Sequence, residues 1–310
     1  MTVENDFLAF AAGPGANVLA QSDYAALAAV SSGFQAGTAQ SAAVNKVWRQ
    51  ASIMSAVLAQ LIVDETGQPA IDDGTTTTLL ANLKSAFQGR LLTVNMFATH
   101  GNVNFIPATP NSSIYMRAMG AGAAGGSTPA TGANQYAIAS GGSTGAYAEG
   151  FYQLASATPI PITIGAGGFT VPGAAGGNGG TTSVGSLITC PGGVGGSTSG
   201  LQSTSIPWTT GTSLAPVATG GNICNSQGWA GTFGMAIQVS AGTAGLVAGG
   251  GGPSPLGNSI AATQGPPGTG GIAGILGGGG RGAAQGPLSP LVGGGNGGDG
   301  WVMIFEFGSR

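Results

Sequence analysis

Gly120, Gly122 and Gly125 stand in the GxGxxG spacing that lets a backbone approach a dinucleotide pyrophosphate, and they follow a strand-like run. That chemistry requires the glycines to open a helix, whereas Gly126-Ser127-Thr128-Pro129 comes next. Gly141-Gly142-Ser143-Thr144-Gly145 matches the GxSxG elbow of serine hydrolases, but the single histidine, His100, lies upstream in a turn-like His-Gly-Asn. No lysine follows a glycine loop as a phosphate-binding loop demands, and no pair of His, Cys or Asp residues has metal-ligand spacing. The carboxylates beyond residue 90 are Glu149, Asp299 and Glu306, too sparse to assert a glycosidase pair. The reading is a protein that is not an enzyme and carries no cofactor. His100 keeps two interpretations: a solvated turn residue, or, in a homotrimer, one of three imidazoles meeting at an axis to hold a metal or an anion. Cys190 and Cys224 form no framework and read as inert thiols.

The elements around these residues follow from pattern. Residues 1–21 are short and punctuated by Gly13, Pro14 and Gly15, an extended attachment arm, with a helix opening near Ser22. Ser41 to Val63, free of Gly and Pro and stopped by Gly67 and Pro69, predicts the principal helix. Val44, Trp48, Ala51, Ser55, Leu58 and Ile62 form a wide apolar stripe on it, more than one helix hides alone. A further helix from Thr77 to Gln88, closed by Gly89, could cover the stripe within the chain, or the helices could gather around a symmetry axis. The second is the expectation, with Val44, Trp48, Ala51, Leu58 and Ile62 as the oligomer core. After Gly89 the period becomes two. Leu92, Val94 and Met96, then Val103 and Phe105, read as a hairpin. Residues 112–119, 147–154, 160–164 and 300–307 add strands, those at 90–119 and 300–307 making a platform.

Composition divides the chain at the same place. Of 310 residues 62 are glycine, and Gly265, Gly268, Gly271, Gly274, Gly277 and Gly280 recur every third position. Three is the period of polyproline II, which has no internal hydrogen bonds and needs neighbours. The glycines alternate with Ile, Val, Leu, Trp and Tyr and very few charges, so this region must pack or aggregate; packed segments bonded through their main chains are expected. The resulting expectation is an α+β fold: an arm (1–21), a helical oligomerisation and attachment domain forming a trimeric bundle (22–89), and a glycine-rich β distal domain with polyproline or polyglycine II helices (90–310). The net charge of −3 and the absence of a basic cluster argue against nucleic acid. No apolar run of membrane-spanning length occurs, and the acidic MTVENDFLAF lacks the basic region of a signal peptide, so assembly in a cytoplasm is expected.

The segments NDFLAFAAGPGANVLAQSDYAAL and GFQAGTAQSAAVNKVWRQASIMSAVLAQLIVDETGQPAIDDGTTTTLLANL, followed by SIYMRAMGAGAAGG, GGSTGAYAEGFY, PIPITIGAGG, GGTTSVGSLITCPGG and GGNGGDGWVMIFEF, resemble tail fibre and receptor-binding proteins of bacteriophages and prophages. The resemblance runs along nearly the whole chain, and the order of blocks is more specific than any one glycine string. It implies a homotrimeric virion protein, fixed to a phage tail or baseplate protein by its N-terminal part and touching bacterial surface polysaccharide or an outer-membrane protein with its distal part. The chain lacks a repetitive shaft and the HxH motifs of some needle-like tips, leaving a short fibre or tip. Receptor-contact candidates lie where glycine thins: Gln135 and Tyr136, Trp208, and Trp229 with Phe233. Trp208 and Trp229 are balanced between receptor contact and core. The rival function is a purely architectural tail or baseplate subunit, or a glycine-rich structural protein of a cell surface.

Overall fold

The computed structural model describes residues 3–35, 37, 39–87, 91–203, 208–211, 214–240, 243–257, 260–264 and 270–308. The chain divides into two compact units at Arg90.

The first unit is built on one long helix. Helices α1 (Gln21–Ala25) and α2 (Ala29–Ser32) are single turns, α3 (Ser41–Thr66) has 26 residues, and α4 (Thr77–Ala86) has ten. α3 ends where Gly67 takes a left-handed φ of 65° and donates its N–H to the Val63 carbonyl, a conformation glycine adopts without strain. α4 packs against α3, and the preceding arm lies on it too: Phe10 N donates to Ser52 Oγ at 2.8 Å, Leu19 N donates to the Ala42 carbonyl at 3.2 Å, and the Phe10 and Trp48 rings meet edge to face. Asn5 and Ala70 join arm and post-helix segment in a short parallel bridge, in which Asp6 N donates to the Ala70 carbonyl and Ala70 N to the Glu4 carbonyl. The expected closing glycine of α4, Gly89, lies outside the described residues.

The second unit is glycine-rich, and among its described residues it is built of strands and extended segments. Its strands are β1 (Leu91–Phe97), β2 (Gly101–Phe105), β3 (Ser113–Met119), β4 (Gln135–Ile138), β5 (Tyr147–Gln153), β6 (Ile160–Ile164), β7 (Thr182–Val184), β8 (Ile188–Cys190), β9 (Gln202–Ser203), β10 (Trp208–Thr209), β11 (Cys224–Ser226), β12 (Met235–Ser240), β13 (Thr243–Ala248), β14 (Thr263–Gln264), β15 (Ala284–Gln285) and β16 (Trp301–Phe307). They form four antiparallel sheets, ordered β1-β16-β3-β5-β11, β2-β6-β7-β8, β10-β12-β13-β14 and β15-β4-β9. The first two enclose a core containing Phe105, Ile114, Met116, Ile162, Val184, Ile188, Val302 and Ile304. β1 and β2 do not pair as the expected hairpin. The chain turns at His100 from one sheet to the other, which places Phe105 in the shared core.

The fold class is therefore corrected. Four antiparallel sheets dominate the described residues, and the four helices among them, three of them short, build no N-terminal trimeric bundle. The apolar stripe misled because it counts only periodicity. The arm and α4 of the same chain take up part of it, with Ala43, Ala59 and Ile62 buried, while α1 and α2 are too short to add a bundle layer.

Between the sheets run extended segments bonded side by side. Residues 120–128 illustrate the rule: Gly120, Ala123 and Gly126 donate to the carbonyls of Ala146, Ser143 and Ser140; Ala121, Ala124 and Ser127 to those of Gly180, Gly177 and Ala174; Gly122, Gly125 and Thr128 to those of Gly298, Gly295 and Val292. Carbonyls of the same stretch accept from Gly193 and Gly196, from Gly280 and Ala283, and from Gly168. Every third amide thus meets the same neighbour, as three residues per turn require, and the segment is surrounded on six sides. Close approach excludes side chains at the contacts: a Cβ on Gly122 would sit 2.0 Å from the Gly278 oxygen. Of the sequence's glycine triplets, Gly271, Gly274 and Gly277 bond to the carbonyls of Gly293, Asn296 and Asp299, Gly280 bonds directly to Ala123 of the central segment, and Gly265 and Gly268 lie outside the described residues.

Candidate binding surfaces

The array fixes two opposite ends of the second unit. Segment 120–128 leaves β3 at one end and residues 139–146 return antiparallel to β5, so β3, β5 and β16 share the near end, where the chain enters through β1. β4, β15 and the loops at 129–134, 171–173 and 286–291 lie at the far end, with β12 and β13 beyond the segments they continue.

The far end has a small core of its own: Tyr136, Ile138, Ala236, Leu246, Ala248 and Ala284. Tyr136 has no exposed surface, so as a receptor contact it is corrected: alternation along β4 turns its ring inward with Ile138. Gln135 is half-buried, and its side-chain oxygen accepts from Gly132 N at 2.9 Å, closing the 132–135 turn. Trp208 is 44% exposed on edge strand β10, where it pairs with Ala236, and with Thr209, Met235 and Ile237 it lines an open groove of about 560 Å³. Trp229 and Phe233 are exposed on the outer segment 227–234, Trp229 nearer the other end, since its amide and carbonyl both meet Thr144. The structure therefore separates Trp208 from Trp229 and does not gather the candidates into one cluster. Val171, Leu201, Leu288 and Leu291 are further exposed apolar side chains on far-end loops, which sequence reading passed over because Pro, Gly and Ser surround them. Leu288 holds a φ of 53°, a conformation costly for a branched chain, at the tip of a loop pinned by Thr131 Oγ1 to the Gly286 carbonyl at 2.6 Å. No Asp, Glu, Lys or Arg occurs in 129–134, 171–173, 200–203 or 286–291. Buried Arg281 is held by Thr263 and the Gly270 carbonyl, without a carboxylate partner among the described residues.

In the first unit, Ile62 of the oligomer-core candidates is buried and Val44 half-buried, whereas Trp48, Ala51 and Leu58 are exposed. Leu58 and Ile62 border an apolar cavity of about 140 Å³ with Phe7, Leu79 and Leu83.

Charge concentrates at the near end. His100 Nδ1 lies 2.8 Å from Asp299 Oδ2, and Asp299 Oδ1 accepts from Gly167 N at 2.9 Å. Burial pushes the Asp299 carboxyl up, but the bonds from Gly167 and His100 outweigh it and hold the group below the usual carboxylate range. Among the described residues no group of three His, Cys, Asp or Glu side chains is placed to hold a metal. A second cluster sits on the five-stranded sheet: Arg117 Nε donates to Tyr147 Oη at 2.7 Å and lies 3.4 Å from Glu149, which also accepts from Tyr115 Oη at 2.9 Å and from Tyr147 Oη. The Tyr147 bond is the largest influence holding Glu149 below its ordinary pKa; burial opposes it, and Tyr115 and Arg117 add to it. Sequence reading missed this cluster, although Arg117 and Glu149 are each the single charge on a strand, and the register sets them opposite each other.

The chain matches no protein-family model and no curated protein sequence.

Proposed function

We propose that this chain is a bacteriophage tail adhesin, a virion protein held to the tail through its first unit and recognising a bacterial surface polysaccharide or outer-membrane protein with the far end of its second. The observation that supports the reading is the far end itself: edge strand β10 with exposed Trp208, and uncharged loops carrying exposed Leu288 and Leu291, projected from a core whose segments are fixed by main-chain bonds. Binding costs least when the contact groups are already ordered, and a segment bonded on every side gives its loops fixed roots. An uncharged surface favours a partner read by shape, apolar contact and hydroxyl hydrogen bonds over one read by charge. The function is binding, not catalysis, with no cofactor.

Full-length chain carrying a fluorophore, added to a panel of bacterial strains, is expected to decorate some strains and not others. Trp208→Ala combined with Leu288→Ser is expected to weaken decoration by about tenfold with the fold intact by circular dichroism. Decoration of no strain, or decoration indifferent to these changes, would overturn the reading.

A further inference from the structure

The outer face of the five-stranded sheet carries a built surface at the end opposite those loops. Register places side chains in rows across the strands. One row is Val94, Phe305, Tyr115, Phe151; the next is Met96, Met303, Arg117, Glu149, Cys224. Four strands at about 4.8 Å spacing make the first row about 14 Å long. Its rings are half-buried, Tyr115 and Phe305 having centroids 5.8 Å apart, and the Phe151 and Phe307 rings continue it at 6.5 Å. Beside it the Arg117 guanidinium lies over the Tyr147 and Trp301 rings at 5.7 and 5.9 Å, and Trp301 is itself fixed by its indole N–H on the Leu276 carbonyl at 3.1 Å. With Nε on Tyr147, Arg117 has no partner for its two terminal nitrogens among the described residues, although its side chain is 29% exposed.

We propose that this face binds an uncharged saccharide chain. A pyranose presents a C–H face that stacks on an aromatic ring and an equatorial rim of hydroxyls that both donate and accept. The Phe305-Tyr115-Phe151 row supplies partly exposed aromatic rings on neighbouring strands, and the neighbouring row supplies the planar fork of Arg117 as donor and the Glu149 carboxylate as acceptor, both immobilised by the network that holds them. Arg117 and Glu149 neutralise each other, so an acidic polymer gains no net attraction, and a row length of about 14 Å accommodates a short run of sugar units. The proposal concerns the opposite end from Trp208 and does not rest on the role given to the far-end loops.

Isothermal titration of the full chain with maltohexaose and chitohexaose as neutral probes, and with hexagalacturonate as the acidic one, tests it. A neutral hexasaccharide is expected to bind. Its affinity is expected to fall about tenfold in Arg117→Lys, which loses the stacked planar fork, and in Tyr115→Ala. Tyr115→Phe keeps the ring and should lose less than about threefold, and Phe169→Ala, at an exposed ring outside both rows, should leave binding unchanged. Near-ultraviolet circular dichroism identifies any variant that has lost its fold, and Tyr115→Phe then carries the comparison with Phe169→Ala. The proposal is overturned if neither neutral probe binds at millimolar concentration, if hexagalacturonate binds more tightly than both, or if Trp208→Ala abolishes binding that Arg117→Lys spares. It is overturned equally if sedimentation shows a self-associated chain that Arg117→Lys dissociates, since the face would then be an interface between copies.

Discussion

The helical first unit and the glycine array of the second hold themselves together by opposite means. In the first unit the backbone is satisfied within each helix, and cohesion between elements comes from side chains: Ala43, Ala59, Ile62 and Ala70 are buried, while Leu8, Trp48, Met54 and Val57 stay exposed. In the array the main chain itself bonds one segment to the next, and most residues at the contacts are Gly, Ala, Ser or Thr. Each such bond contributes about 1 kcal/mol net, about what it costs to order a glycine relative to alanine. The array is therefore close to neutral by itself. Its stability comes from what caps it, the side-chain cores at its two ends, with Trp301, Ile114 and Met116 buried near one and Tyr136 and Leu246 near the other. A side-chain core tolerates a missing methyl group as a cavity; a main-chain array does not tolerate an added one.

The sharpest way to break that contrast is a methyl group in the array. Gly122→Ala puts a Cβ 2.0 Å from the Gly278 oxygen and 2.5 Å from its carbonyl carbon, and both belong to segments bonded on several sides. Displacing one moves the rest, so a loss of more than about 4 kcal/mol in the second unit is expected, read by denaturant unfolding followed through Trp301. Gly13→Ala, with nothing within 4 Å of the new atom, should stay within about 0.5 kcal/mol. If Gly122→Ala costs no more than about 1 kcal/mol, the array is not the rigid element described.

The converse change sharpens the other side. Ile62→Ala removes a buried side chain beside an existing cavity and should lower the stability of the first unit by about 3 kcal/mol. Its unfolding transition alone should move. An equal shift in the Trp301 signal would mean that the two units unfold as one.

The comparison also explains what could be read from sequence. Side-chain rules found α3 from its Gly-free and Pro-free run, within three residues at its end, and the alternation of β1, β3 and β16, because those elements show their burial in the spacing of large apolar residues. The same rules placed the helices around an axis, since a wide stripe does not say which chain covers it. They placed Tyr136 outside because its neighbours are Asn and Gln, whereas alternation along β4 turns it in. The most enclosed segment, Gly120 to Thr128, looks like linker composition, and of the regular triplets Gly280 bonds to it directly while Gly271, Gly274 and Gly277 donate to the carbonyls of Gly293, Asn296 and Asp299. Main-chain bonding leaves its trace in what is absent, and absence of side chains does not name a neighbour. Of the candidate surfaces, aromatic content pointed to Trp208, but the pairing of Arg117 with Glu149 needed strand register, which no local pattern supplies.

A smaller effect separates side-chain from main-chain bonding at the near end. Asp299 carries both, receiving N–H bonds from Gly167 and His100 on its carboxylate while its own carbonyl accepts from Gly277. Its folded pKa is depressed, so its contribution is fully present above the unfolded value of 3.8 and is lost as pH falls through the folded pKa. Denaturant midpoints between about pH 6 and pH 2 should fall less steeply in Asp299→Asn than in the wild type. Some slope remains, because Glu149 is depressed in the same direction. Identical slopes would show that the main-chain bond from Gly277 suffices without the carboxylate.

The least disruptive probe uses the two thiols. Cys190 is buried in the core between the near-end sheets, burial pushes its pKa up to about 12, and its Sγ donates to the Ala118 carbonyl at 3.4 Å, beside the first bonds of the array. Cys224 is exposed on edge strand β11. At neutral pH a thiolate attacks the sulfur of a disulfide reagent and expels its thiolate, so Cys224 should react at once and Cys190 only when the near-end core opens. The slow phase then measures opening directly, without any change to the sequence. If that phase has the unfolding rate of the whole second unit, the array and its cap open together. If Cys190 reacts much faster than global unfolding, the near-end core opens while the main-chain array stays closed, and the two modes of cohesion are separable within one unit.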